Sequence, residues 1–180
     1  MNAFEIKILD AIQQTFGCKF MDFIMPKISY LGDYGIVCIA LSLLFIMIPK
    51  TRKMGISSGL ALFIGLIVCN LLLKPLVFRV RPYFINTDAV LLVKRLEDGS
   101  FPSGHALAVF ETATAFMKHD KRFGIPALVL AFLVAFSRLY LYVHYPSDVI
   151  AGILLGVIIG LTSCFIIKKL YIKYDLQNKI

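Results

Sequence analysis

Val149–Ile167 reads VIAGILLGVIIGLTSCFII, nineteen residues without a charge, and Met54–Leu73 reads MGISSGLALFIGLIVCNLLL, twenty more without one. A helix needs about 20 mostly apolar residues to cross the hydrocarbon of a bilayer. Both stretches meet that as they stand. Tyr34–Ile48 reaches it by including Tyr30–Asp33, and Phe123–Ser137 by continuing to Tyr142 with Arg138 turned inward. Ser103–Met117 is shorter and carries His105 and Glu111, which predicts a place inside a bundle. The 180-residue chain is 59% hydrophobic, too apolar for an ordinary soluble fold. The expected fold is all-α: an integral membrane helix bundle of five to six transmembrane helices, forming a single domain over residues 1–180.

The first 25 residues differ. Phe4, Ile8, Ala11, Ile12 and Phe16 recur at three- and four-residue steps, with Lys7, Asp10, Gln13 and Gln14 between them. That spacing predicts an amphipathic helix at the interface within residues 1–25; as a sixth span it would have to carry its charges through lipid. No short apolar run leads to a small-residue cleavage site, so no removable signal peptide is expected. Cys18, Cys38, Cys69 and Cys164 stand singly, without metal-ligand spacing, and read as small packing residues. Gly152, Gly156 and Gly160 recur every fourth residue, as do Ala127, Ala131 and Ala135. Small residues at that spacing let helices approach closely in lipid, and packing within the bundle is the expected use.

The formal net charge of +8 does not indicate nucleic acid, because the cations gather at span ends and form no soluble basic face. One side collects ten: Lys50, Arg52, Lys53, Lys118, Lys121, Arg122, Lys168, Lys169, Lys173 and Lys179. The other has Lys74, Arg79, Arg81, Lys94, Arg95 and Arg138, plus Lys7, Lys19 and Lys27 of the leading segment. Setting aside that segment and the three cations of the polar constellation described next leaves ten against three. Cytoplasmic loops carry the Lys and Arg excess, so the constellation is expected to face away from the cytoplasm.

Polar residues stranded at the ends of apolar spans usually have a functional reason. Here they are Lys74, Arg81-Pro82, Pro102-Ser103-Gly104-His105, and Ser137-Arg138 with His144 and Asp148. Alternate crossings put all three stretches on one side of the membrane. Lys74 and Arg81 are seven residues apart and would share a face if the helix continued, but Pro75 and Pro82 work against that. Ser103 is a good helix N-cap. The free N–H groups of a helix start also bind anions, and Gly104 would let a phosphate approach the backbone. Arg138 offers a planar fork suited to phosphate oxygens. Asp148, four residues after His144, could accept a hydrogen bond from one ring nitrogen and aim the other as a nucleophile; capping a helix is its alternative role. Glu111 reads as a buried structural hydrogen-bonding group and His119 as inert. Arg79, Lys94 and Arg95 read either as lipid-headgroup contacts or as solvated loop charges.

With these residues in place, the chain resembles the type 2 phosphatidic acid phosphatase superfamily of membrane lipid phosphatases, related to the vanadium haloperoxidases. The family pattern is Lys, six residues, Arg-Pro; then Pro-Ser-Gly-His; then Ser-Arg, five residues, His, three residues, Asp. Lys74 with Arg81-Pro82, Pro102–His105, and Ser137-Arg138 with His144 and Asp148 match every specified letter and gap. The motif region runs over residues 54–160. The resemblance implies catalytic roles for His144, His105 and Asp148. His144 would attack phosphorus and become phosphohistidine, oriented by Asp148, while His105 would protonate the leaving oxygen and then activate water. Lys74, Arg81, Ser103, the Gly104 N–H and Arg138 would hold the phosphoryl oxygens. Fixed cations would then do what metal ions do elsewhere, so no metal or other cofactor is expected. With His144 neutral and His105 protonated, a bell-shaped pH–rate profile is expected. The implied partners are a lipid phosphate or diphosphate, undecaprenyl diphosphate by family analogy, and the membrane lipids themselves. Phosphoryl transfer to a lipid or sugar acceptor, and binding without catalysis, are the competing readings.

Overall fold

The structure is a computed structural model that describes residues 2–177; Lys179, counted above among the cations, lies outside them. Among the described residues every regular element is helical: α1 (Asn2–Phe16), α2 (Lys19–Tyr30), α3 (Ile36–Met47), α4 (Arg52–Gly65), α5 (Lys74–Val77), α6 (Pro82–Ile85), α7 (Gly104–His119), α8 (Lys121–Tyr140) and α9 (Pro146–Gln177). Arg52–Ile85, Lys121–Tyr140 and Pro146–Lys173 are long and apolar enough to cross a membrane. The apolar α3 is shorter. So is α7, which starts at the Ser103 cap and ends before Asp120; that residue caps α8 by accepting the Arg122 N–H at 2.9 Å.

The helix begun by α4 does not run straight into the motif that follows it. After Gly65 the chain takes π-helical turns over Leu66–Leu73, just before Pro75, which has no N–H to continue the ladder. Phe78 then adopts a left-handed φ of 34° and ends α5. Arg81 is extended (φ −72°, ψ 152°), as the residue before a proline tends to be. Lys74 and Arg81 are therefore brought together by a bend, not by a shared helix face.

The central helix is α7, which packs along α9, α8 and α4. The glycine stripe of α9 lies on it. A Cβ at Gly152 would come 2.6 Å from the Ser103 carbonyl, at Gly156 2.7 Å from that of Leu107, and at Gly160 2.8 Å from that of Glu111. Both stripes advance by four residues, so two helix backbones meet turn against turn. Ala131 and Ala135 of α8 join Ala106, Val109, Phe110 and Ala113 in the same core. Leu154, Ile158 and Phe165 point outward from α9, and Phe132 from α8. Large apolar side chains outside, with Arg81, Arg138, His144 and Asp148 buried, is the distribution of a protein whose solvent is lipid.

The leading segment is two helices, broken at Gly17 and Cys18, instead of one. Leu9 is fully buried and Glu5 nearly so, while Phe4 is exposed. Thus α1 turns a partly polar face toward the protein. Cys18 is exposed, unlike the buried Cys38, Cys69 and Cys164.

Candidate active site

The three motif stretches converge. The Ser103 N–H at the start of α7 donates to the Asp148 carbonyl in the first turn of α9 at 3.0 Å, tying the second stretch to the third. Arg81 Nη1 donates to the Val143 carbonyl at 2.8 Å, tying the first to the third. His144 lies on the five-residue connection Leu141–Tyr145, all of it buried. Tyr142, with φ 60°, makes the turn; its hydroxyl donates to Asp10 Oδ1 at 2.7 Å and accepts from Asn86 Nδ2 at 2.9 Å.

His144 Nδ1 is 2.8 Å from the Ser100 carbonyl oxygen. A carbonyl can only accept, so Nδ1 carries the proton and Nε2 keeps its lone pair. Nε2 faces Arg81 Nη1 at 3.4 Å. Asp148 Oδ2 is 3.7 Å from Nδ1, beyond hydrogen-bond range. The orienting acceptor expected to be Asp148 is thus the Ser100 backbone, with the carboxylate as a nearby charge. Asp148 instead accepts the Tyr145 N–H at 2.9 Å and pairs with Arg79 at 2.6 Å. Burial, then the charges of Arg138 and Arg81, push the His144 ring down to about 3, although Asp148 works the other way. His144 is therefore neutral across the working range of most enzymes, the form in which an imidazole can act as a nucleophile.

His105 opens α7. Its Nε2 lies 2.6 Å from Asp33 Oδ1, at the turn between α2 and α3. A carboxylate accepts, so Nε2–H is committed to Asp33 and Nδ1 is the ring nitrogen left for proton transfer. Close approach helps set the ring: a Cβ at Gly32 would lie 2.9 Å from His105 Cδ2. The Arg138 charge is felt at both imidazoles.

Lys74 and Arg81 share one partner, Asp98. Lys74 Nζ pairs with its Oδ2, and Arg81 Nη2 donates to Oδ1 at 2.7 Å. Burial opposes ionisation of Asp98, but Lys74 and Arg81 outweigh it and hold the carboxyl at about 2. Two cations converging on one anion is the geometry a phosphoryl group would use. Arg138 donates through Nη1 to the buried Ser29 hydroxyl, while its buried Nε has no partner among the described residues. Ser103 Oγ accepts the Ala106 N–H at a long 3.5 Å. A Cβ at Gly104 would make ordinary contacts, 3.6 Å from Cys69 Sγ and 3.8 Å from Asn70 Oδ1, so packing does not demand glycine there.

The model of the PAP2 superfamily matches residues 55–171. The chain belongs to that superfamily. An undecaprenyl-diphosphatase of Sulfolobus acidocaldarius is 38% identical over 130 residues, covering 71% of this chain and 63% of that protein. The undecaprenyl-diphosphatase BcrC of Bacillus subtilis is 31% identical over 134 residues, covering 73% and 68%. The crystal structure of the PAP2-type phosphatidylglycerolphosphate phosphatase from Bacillus subtilis superposes with a TM-score of 0.73 at 26% identity, covering 95% of this chain and 86% of that one. The PAP2 fold therefore extends well beyond the motif region.

Outside the PAP2 motifs, several side chains near the site were not singled out from sequence. Asp33 begins an apolar span and Asp98 closes a polar loop; the fold, not the sequence, sets these carboxylates beside His105 and beside Lys74 and Arg81. Arg79 is not a solvated loop charge but is held in ion pairs with its side chain 16% exposed. It bonds Asp148, Ser147 Oγ at 2.6 Å and Glu5 Oε2 at 2.5 Å. Lys94 and Arg95 are exposed. Glu111 leaves Oε2 without a partner among the described residues, so the hydrogen bond expected there is missing at that atom. His119 Nε2 is 2.9 Å from Ser57 Oγ, at the opposite end of α7.

Proposed function

We propose that this chain is a single-domain membrane phosphatase that hydrolyses lipid phosphates or diphosphates through a phosphohistidine, without a metal, at the extracytoplasmic face. The observation that carries the reading is the fixed tautomer of His144: Nδ1–H on the Ser100 carbonyl, Nε2 unprotonated and in only a long 3.4 Å contact with Arg81 Nη1. In the first step the Nε2 lone pair forms a bond to phosphorus and the bond from phosphorus to the lipid-side oxygen breaks. His105 delivers the Nδ1 proton to that oxygen. In the second step the now neutral His105 takes a proton from water, whose oxygen attacks phosphorus. The P–N bond breaks, its electrons return to His144, and phosphate leaves. Lys74, Arg81, Arg138, Ser103 and the Gly104 N–H hold the phosphoryl oxygens while charge moves, and Asp148 offsets the positive charge on His144. The relatives' names support a polyprenyl diphosphate as the substrate to try first.

The test is phosphate release by the purified protein from undecaprenyl diphosphate, phosphatidic acid and phosphatidylglycerol phosphate, with and without EDTA. The reading expects release from at least one, indifference to EDTA, and a loss of about 10³-fold or more in His144→Ala. No release from any of them, or full activity in His144→Ala, contradicts it. Phosphate appearing on an added acceptor lipid would turn the assignment to phosphotransfer.

A further inference from the structure

The family motifs do not include α1, which lies outside the matched residues 55–171. Yet α1 reaches the nucleophile's connection at several points. Glu5 uses both carboxylate oxygens: Oε2 pairs with Arg79 at 2.5 Å, and Oε1 accepts the Ser147 N–H at 2.9 Å. Arg79 passes that contact on, donating through Nη1 to Asp148 Oδ1 and Ser147 Oγ, both at 2.6 Å. Its guanidinium lies 3.9 Å above the Tyr145 ring. Eight residues along α1 from Glu5, Gln13 Nε2 donates to the Tyr140 carbonyl at 3.0 Å. Between them, Asp10 accepts the hydroxyl of Tyr142, the residue with the left-handed φ. Residues 140 to 148 are thus held from α1 on both sides of His144.

We propose that α1 is part of the catalytic apparatus and that Glu5 is a positioning residue, setting the Asp148–His144 geometry through Arg79 and the Ser147 amide. The proposal rests on the phosphatase reading above. Glu5 is 7% exposed and Asp148 fully buried, so Arg79 works between two desolvated carboxylates. With Glu5 present, the guanidinium is shared and Asp148 keeps part of its charge for the imidazolium-like transition state at His144. Without it, Arg79 falls wholly on Asp148, drains that charge, and loses the anchor that fixes the first turn of α9. Glu5 has no contact with the cations proposed to hold phosphate, so its removal acts on turnover and not on substrate binding.

The experiment uses full-length protein in detergent micelles carrying whichever of undecaprenyl diphosphate, phosphatidic acid and phosphatidylglycerol phosphate the wild type hydrolyses fastest, with Glu5→Ala and Glu5→Gln. In Glu5→Ala, kcat is expected to fall roughly 10- to 100-fold with KM within about 2-fold of wild type, as when a supporting partner of a site is removed. Glu5→Gln keeps an oxygen for the Ser147 amide and guards against misfolding; it is expected to fall by less. Hydrogen exchange over Tyr145–Val149 is expected to quicken about 10-fold or more in Glu5→Ala, with α8 unchanged. Unchanged exchange overturns the proposal, even if the wild type proves inactive and the phosphatase reading fails by itself. Quickened exchange with unchanged kcat, or a loss confined to KM, overturns it as well.

Discussion

Asp33 Oδ1 lies 2.6 Å from His105 Nε2, which gives the histidine proposed as proton donor a carboxylate partner from a turn far away in sequence. His144 has its own acceptor in the Ser100 carbonyl. The difference in partner chemistry is the one the two proposed roles call for. The Asp33 carboxylate favours the charged ring, against burial and the Arg138 charge, which together push His105 down to about 4, so protonation there leans on Asp33 and on a bound phosphate; a carbonyl fixes a tautomer without adding charge.

Replacing Asp33 with Asn removes that charge and makes the His105 imidazolium harder to keep. The rate should fall by about 10- to 100-fold, within the range for positioned acid–base groups. The alkaline limb of the kcat profile should move to lower pH, since the donor proton is lost sooner. A kcat profile from pH 3 to 9 checks both; an unmoved alkaline limb contradicts the pairing.

Asp98 stands where Lys74 and Arg81, the cations proposed to bind phosphate, converge. Held at about 2, it remains ionised at every working pH and competes with any incoming anion for Lys74 and Arg81. Asp98→Asn should therefore tighten inhibition by inorganic phosphate, by roughly 10-fold for one competing charge partly screened by solvent. Inhibition constants for phosphate in the two proteins measure this directly, and weaker inhibition in the variant would contradict it.

His144 gives a pH signature in stability. Its folded-state value, about 3, lies below the ordinary value of 6.5 because the ring is buried among cations. Between those values the unfolded chain binds a proton that the folded one refuses. Stability must then fall as pH drops below 6.5, with this contribution levelling off below about 3. Thermal melting from pH 7 to pH 4 should show a shallower decline in His144→Asn than in wild type. Equal slopes would contradict the burial of a neutral ring.

Gly104→Ala tests why glycine precedes His105. The new methyl would meet protein atoms at ordinary distances of 3.6 and 3.8 Å, so folding should be preserved. If the backbone N–H there holds a phosphoryl oxygen, the methyl intrudes on the anion and KM should rise several-fold with the melting temperature unchanged. A melting loss without a KM change would make this glycine a packing residue.

Membrane crossing was legible at Val149–Ile167 and Met54–Leu73 because lipid demands long uncharged runs. Packing was legible at Gly152, Gly156 and Gly160 because close helices demand small residues at a fixed step. The family residues were legible through the spacing of Lys74, Arg81, Pro102–His105, Arg138, His144 and Asp148. Their supports were not. Ser100 acts through its backbone, which no side-chain pattern reports. Asp33, Asp98, Glu5 and Ser29 act across sequence gaps that only the packing of distant segments closes. Nothing in local sequence announces such partners.

The most direct test of the central claim is rapid quenching of the purified protein with the lipid phosphate it hydrolyses, undecaprenyl diphosphate first, carrying a radioactive terminal phosphate. The account predicts a phosphoenzyme stable to base and labile to acid, mapping to the peptide that contains His144 and absent from His144→Ala. Turnover with no trappable label in wild type, or label on another residue, would contradict it.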